Sequence, residues 1–103
     1  MGEVTAGYSY GGDRVVLYVR NDWADLHRTH LETAILAIEE TLGDARDRYI
    51  EKEFAGGRIE KFSNDSFKFH TNDFGEHHWL SVTRDELFQL RRKLDEARKV
   101  VSR

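Results

Sequence analysis

His70, His77 and His78 stand close together in the segment His-Thr-Asn-Asp-Phe-Gly-Glu-His-His-Trp, residues 70–79, with Asp73 and Glu76 between them. Imidazole and carboxylate are the side chains that bind zinc and related divalent ions in a protein without thiols. The spacing becomes relevant if the segment is a β-hairpin. With Asn72-Asp73-Phe74-Gly75 as a type I turn and Gly75 in the left-handed position, Thr71 faces His77, His70 faces His78 and Phe69 faces Trp79. Directly opposed side chains have Cβ atoms about 4.5–5.5 Å apart. His70 and His78 could then share a metal, with Asp73 or Glu76 as a third ligand, while His77 points to the other face. Structural zinc sites usually take four protein ligands. The plainer reading is a polar hairpin tip whose histidines cluster near the rim, and no cofactor is expected.

His27 and His30 form a second candidate pair, since positions i and i+3 share a helix face. No acidic residue completes a ligand set, and a His-Glu-x-x-His pattern is absent. Catalytic signatures are missing as well. Ser9, Ser63, Ser66, Ser81 and Ser102 lie in no Gly-x-Ser-x-Gly elbow, and there is no Gly-rich phosphate loop. The sequence therefore reads as that of a protein without enzymatic activity.

The elements that position these residues are set by turns and periodicity. Glu3 to Arg20 read as a hairpin folded at Gly11-Gly12. Asn21 or Asp22 is expected to cap a long helix. Its apolar residues, from Trp23 through Leu26, Leu31, Ala34, Ile35, Ile38 and Leu42 to Ala45 and Tyr49, recur in helical steps. Gly43 either lies inside that helix or ends it, with Asp44 capping a second. Gly56-Gly57 marks the next turn. Three short strands follow, Gly57–Phe62, Phe67–Thr71 and His77–Val82, separated by Ser-Asn-Asp-Ser and Asn-Asp-Phe-Gly. Thr83-Arg84-Asp85-Glu86 matches a capping box and opens a final helix bearing Leu87, Leu90, Leu94, Ala97 and Val101. The expected fold is α+β, a single domain over residues 1–103. An N-terminal β-hairpin, a long helix, a three-stranded antiparallel meander and a C-terminal helix make a two-layer sandwich.

Pairing Phe62 with Phe67 would gather Phe62, Phe67, Phe69 and Trp79 on a core face. Ile59, Leu80 and Val82 then fall on the opposite face with Lys61, Lys68, His70 and His78. That second face is too apolar to meet only water, so either the N-terminal hairpin covers it or another molecule does. Ile59, Leu80 and Val82, with Trp79 nearby, are thus the candidate protein-binding residues. The leucine seam of the last helix and the long first helix make a homo-oligomer plausible.

Arg84, Arg91 and Arg98 recur every seven residues, with Arg92 and Lys99 beside them, a stripe that could follow phosphates. Pairs Arg91–Asp95 and Arg92–Glu96 would instead spend those charges within the helix. The α-β-β-β-α order read for residues 22–101 is similar to that of double-stranded RNA-binding domains, in element order alone. That family presents a lysine cluster at the start of its last helix. Arg84-Asp85-Glu86 stands there in this chain, and two acids at a helix N-terminus repel phosphate.

Charge is uneven. Residues 21–57 hold nine acids against four bases, and residues 84–103 hold four against seven, within a net charge of −3. An acidic whole disfavours indiscriminate nucleic-acid binding. There is no cysteine, no proline and no apolar run long enough for a membrane helix, and the first residues lack the basic and apolar regions of a signal peptide. The expectation is a cytoplasmic interaction or regulatory protein that binds another protein, of the kind common among accessory proteins of phages and mobile elements. Nucleic-acid binding through the basic stripe and histidine metal binding stand as alternatives.

Overall fold

A computed structural model describes residues 3–73 and 75–101 of the chain. It is an α+β fold with two helices and two antiparallel sheets. Strands β1 (Val4–Ser9), β2 (Arg14–Val19) and β3 (Asp22–His27) form the first sheet in that order. Helix α1 (Leu31–Gly43) follows. Strands β4 (Ile50–Phe54), β5 (Gly57–Ser63), β6 (Ser66–Asp73) and β7 (Glu76–Val82) form the second sheet, also in chain order, and helix α2 (Arg84–Val101) closes the fold. The helices pack on each other and over one face of the strands. Buried side chains from both sheets and both helices make one cluster.

Four sequence expectations change here. First, residues 22–27 are a strand and not the start of a helix. Alternation decides it: Ala24 and Leu26 are fully buried, while Trp23, Asp25 and His27 face outward. Trp23 and Leu26, three apart, share a helix face but point to opposite sides of a strand, so helical steps misread the segment. Arg20 and Asn21 make the tight turn between the paired residues Val19 and Asp22. Arg20 sits at φ 55°, a left-handed conformation that costs a non-glycine residue about 1–2 kcal/mol. Its guanidinium compensates by bonding Glu86 at the start of α2 and the Ser81 carbonyl of β7.

Second, the helix is shorter than its periodicity suggested and ends at Gly43. Two cations meet the last carbonyls, as the helix dipole favours. Arg84 donates to the Leu42 carbonyl at 3.0 Å, and the fully buried Lys61 donates to the Asp44 carbonyl at 2.6 Å. Asp44 caps no second helix. Its carboxylate accepts the Arg46 backbone N–H at 3.1 Å in an Asx-type turn. The Arg46 side chain pairs with the same carboxylate at 2.5 Å and holds its pKa well below the usual range. Third, Ile50–Phe54 is an edge strand, β4, returning through Ala55-Gly56 with Gly56 at φ 96°.

Fourth, the registers shift. In the last hairpin Asp73 pairs with Glu76, which places Asn72 opposite His77, Thr71 opposite His78, His70 opposite Trp79 and Phe69 opposite Leu80. A bulge between Lys61 and Ser63 pairs Lys61, rather than Phe62, with Phe67. One residue of slip exchanges the faces of a strand. Ile59, Phe67, Phe69, Leu80 and Val82 therefore lie together beneath the helices, at most 3% exposed, with Lys61 among them. Phe62 and Trp79 stand outside.

The capping box holds: the Thr83 N–H reaches Glu86 Oε1 at 2.9 Å, and the Glu86 N–H reaches Thr83 Oγ1 at 3.2 Å. Leu87, Leu90, Leu94 and Ala97 are fully buried, so these seam residues are spent inside the chain. The side chain of Val101 lies outside the described residues. Among the described residues no helix is long and apolar enough to cross a membrane.

Candidate binding site

The outer face of the second sheet carries a chain of hydrogen bonds across three strands. Tyr49, just before β4, donates its hydroxyl to Glu60 Oε2 at 2.6 Å. The other oxygen of Glu60 meets His70 Nε2 at 2.5 Å, and His70 Nδ1 meets His77 Nε2 at 2.9 Å. Strand pleating explains the grouping, since alternate residues of β5, β6 and β7 point the same way. His70 and His77 are diagonal neighbours across the β6–β7 pair, and their rings stack at 5.1 Å with 11° between planes.

Proton positions follow from the acceptor at the end. The hydrogen bonds from Tyr49 and His70 hold Glu60 below its ordinary carboxylate pKa, so it is ionised and can only accept. His70 must then carry its proton on Nε2. Burial, with the charges of Arg58 and His77, lowers the pKa of His70 despite the carboxylate, so at neutral pH its ring is neutral and Nδ1 is bare. Nδ1 accepts, which requires the proton of His77 to lie on Nε2. In its neutral form His77 is thereby assigned one tautomer, with its own Nδ1 left as a lone pair. The carboxylate also pushes the Tyr49 phenol up to about 12.

Aromatic rings flank this chain. Tyr49 lies 5.7 Å from Phe62, the Lys68 ammonium sits 5.9 Å from the Phe62 ring centre, and Trp79 lies 5.4 Å from His77. Tyr49, Phe62 and Trp79 are 52, 43 and 50% exposed.

At one end of this face, the β2–β3 turn and β3 come against β7. A cleft of about 260 Å³ opens there, lined by Asn21, Asp22, Trp23, His77, His78 and Trp79. His78 packs its ring 4.2 Å from that of Trp23. Its Nε2 is 3.4 Å from Glu76 and 4.0 Å from Asp25, and Arg14 holds Asp25 at 2.6 Å.

The sequence-derived candidates separate accordingly. Ile59, Leu80 and Val82 cannot offer a docking surface because the helices and the first sheet bury them, whereas Trp79 remains exposed. His70 and His78 do not oppose each other, because the slipped register turns them to opposite faces. Glu76 stays beside His78, and the side chain of Asp73 lies outside the described residues. Among the described residues no group of three or more His, Asp or Glu side chains converges as a metal site. His27 and His30 precede α1, their rings 6.2 Å apart, and His27 bonds Thr29.

The basic stripe is largely occupied. Arg84 serves α1, Arg91 pairs with Glu39 of α1 at 2.6 Å, and Arg98 and Lys99 share Asp95 at 2.7 and 3.5 Å. Arg92 is exposed. The expected Arg91–Asp95 pairing gives way because α1 lies close enough to supply Glu39. The likeness to double-stranded RNA-binding domains ends with β3 and β4, two strands that element order lacks.

Sequence reasoning missed Tyr49, Glu60 and Asn21–Trp23 as site residues. The alternation of Ile50, Lys52 and Phe54 before a Gly-Gly turn was the available signal for β4, and the alternation of Ala24 and Leu26 was the one for β3. No protein-family model, curated protein or solved structure matches this chain.

Proposed function

We propose that the protein is a non-enzymatic binding module that acts by contacting another protein through the outer face of its four-stranded sheet, first of all as a homo-oligomer. The observation that supports this reading is the set of three half-exposed aromatic side chains, Tyr49, Phe62 and Trp79, on the face the helices leave uncovered. Large aromatics are the side chains that most often anchor protein interfaces, and one sheet face gives them a rigid base. The polar chain between them pairs its own hydrogen-bonding groups, and the ionised Glu60 is the charge that a partner has to offset. The basic helix supports nucleic-acid binding less well, because most of its cations already have carboxylate or carbonyl partners.

Light scattering after size exclusion, over a range of concentrations, tests the reading. The expected result is a dimer or larger assembly that the double variant Phe62→Ala/Trp79→Ala returns to monomer. A wild-type protein that stays monomeric at several hundred micromolar overturns self-association through this face, as does an assembly that the double variant leaves intact.

A further inference from the structure

We propose that the cleft between the Arg20–Asn21 turn and β7 binds an organic cation carrying N–H donors, an alkylammonium or guanidinium group. The site shares Trp79 with the sheet face, so a partner seated on that ring competes with the cation, and the cleft is tested separately from self-association.

The lining carries the inference. Asp22 supplies a carboxylate and Asn21 an amide oxygen, and Trp23 and Trp79 supply indole rings. No lysine or arginine lines the cleft. Arg20, next to Asn21 in the chain, is committed to Glu86 and the Ser81 carbonyl. A further carboxylate, Glu76, stands 3.4 Å from Nε2 of the lining residue His78. Aromatic faces attract cations through the ring quadrupole, most strongly for indole. An anion would meet Asp22 with no compensating positive charge.

His77 adds selectivity among cations. Its proton is held on Nε2 by the chain running back through His70 to Glu60. In the neutral ring the nitrogen left over is therefore an acceptor. Such a group suits an ammonium or guanidinium N–H and gives nothing to a quaternary ammonium. The volume, about 260 Å³, accommodates one such headgroup and its adjoining methylenes. The headgroup could come as a free amine or as the end of a lysine or arginine side chain in a polypeptide, and the chemistry recognised is the same.

Titration calorimetry at pH 8 with n-butylammonium, n-butylguanidinium, tetramethylammonium, isobutyrate and a capped Gly-Lys-Gly peptide tests the site. Nitrogen-15 spectra of the histidine rings are recorded alongside. Saturable binding of the two N–H cations is expected, with resonance shifts at His77 and at the Trp23 and Trp79 indoles. Tetramethylammonium should bind more weakly and isobutyrate not at all. Asp22→Asn, a change at an exposed turn position, should weaken n-butylammonium about tenfold, the loss of one charge-assisted hydrogen bond. The free His77 ring should show the Nε2–H tautomer. A peptide that binds more than tenfold tighter than n-butylammonium supports a polypeptide source, and equal affinity supports a free amine. Absence of saturable cation binding, equal binding of isobutyrate, or His77 in the Nδ1–H tautomer overturns the proposal.

Discussion

The two faces of the four-stranded sheet are built from alternate residues of the same strands, yet they are held by different forces. On the helix-covered face, Phe67, Phe69, Ile59, Leu80 and Val82 lose nearly all contact with water. A single buried cation, Lys61, is satisfied there by one carbonyl. On the outer face, water still reaches half of each large aromatic, and a run of titratable groups bonds in sequence from Tyr49 to His77. The covered face derives its stability from area and packing, which are nearly indifferent to pH. The outer face derives its order from directional bonds whose strength depends on where protons sit. A fold can thus keep its core and its responsive surface on one sheet by no other device than pleat alternation.

Substitutions should separate the faces, beginning with the largest effect. Phe69→Ala removes a fully buried ring stacked 5.5 Å from Phe54. It is expected to cost about 3–5 kcal/mol in urea denaturation. A loss below about 1 kcal/mol would mean that the covered face is not the core. Lys61→Met keeps the bulk of the side chain but strands the Asp44 carbonyl, for an expected loss of about 1–3 kcal/mol. The matched change on the outer face, Lys68→Met, is expected to stay within about 0.5 kcal/mol. Equal effects of these two lysine changes would erase the distinction between the faces.

The pH dependence sharpens the contrast further. His70 and Glu60 both have folded pKa values below their ordinary 6.5 and 4.5. The unfolded chain therefore binds more protons, and stability falls as pH drops, first below 6.5 through His70 and then below 4.5 through Glu60. Tyr49 is raised from 10.0 to about 12, so the folded chain holds the extra proton and stability falls as pH climbs between those values. The expected curve is a plateau from about 6.5 to 10 with a loss on either side. Phe69→Ala should lower this curve without reshaping it. Tyr49→Phe should leave the plateau nearly where it is and remove the alkaline loss. Trp79→Ala, the mildest change for stability, should shift the midpoint little while weakening self-association. A Tyr49→Phe curve that keeps its alkaline limb would detach that limb from the outer face.

Local signals were the legible part of the sequence. The capping box at Thr83 and Glu86, the buried leucines of α2, a turn at Gly56 and the α+β class all rest on short-range chemistry, which one chain segment expresses by itself. The site was not legible, because it depends on registers. A two-residue connection between Asp73 and Glu76, in place of a four-residue turn, moves every side chain of β7 to the other face relative to β6. The bulge after Lys61 does the same within β5, burying a lysine and exposing a phenylalanine against the preference of both. Tertiary partners stabilise that inversion: the α1 terminus needs a cation, and Tyr49 offers Phe62 a ring to pack on. Trp23 and Leu26, three apart, read as one helix face, whereas Ala24 and Leu26, two apart, read as one strand face. Only the neighbouring β2 decides between the two.

The hydrogen bond from the Val4 N–H to the side chain of Gln89 spans 85 positions of the chain. With the Arg20–Glu86 pair it fastens the earliest strands to the last helix. During synthesis the first hairpin leaves the ribosome well before its cover exists, and Val4, Val15, Leu17 and Val19 wait with their apolar sides open. Closing so long a loop carries its entropy cost before the contacts return it. Completion of the first sheet is therefore tied to the arrival of α2, and strands made early are among the last to become secure.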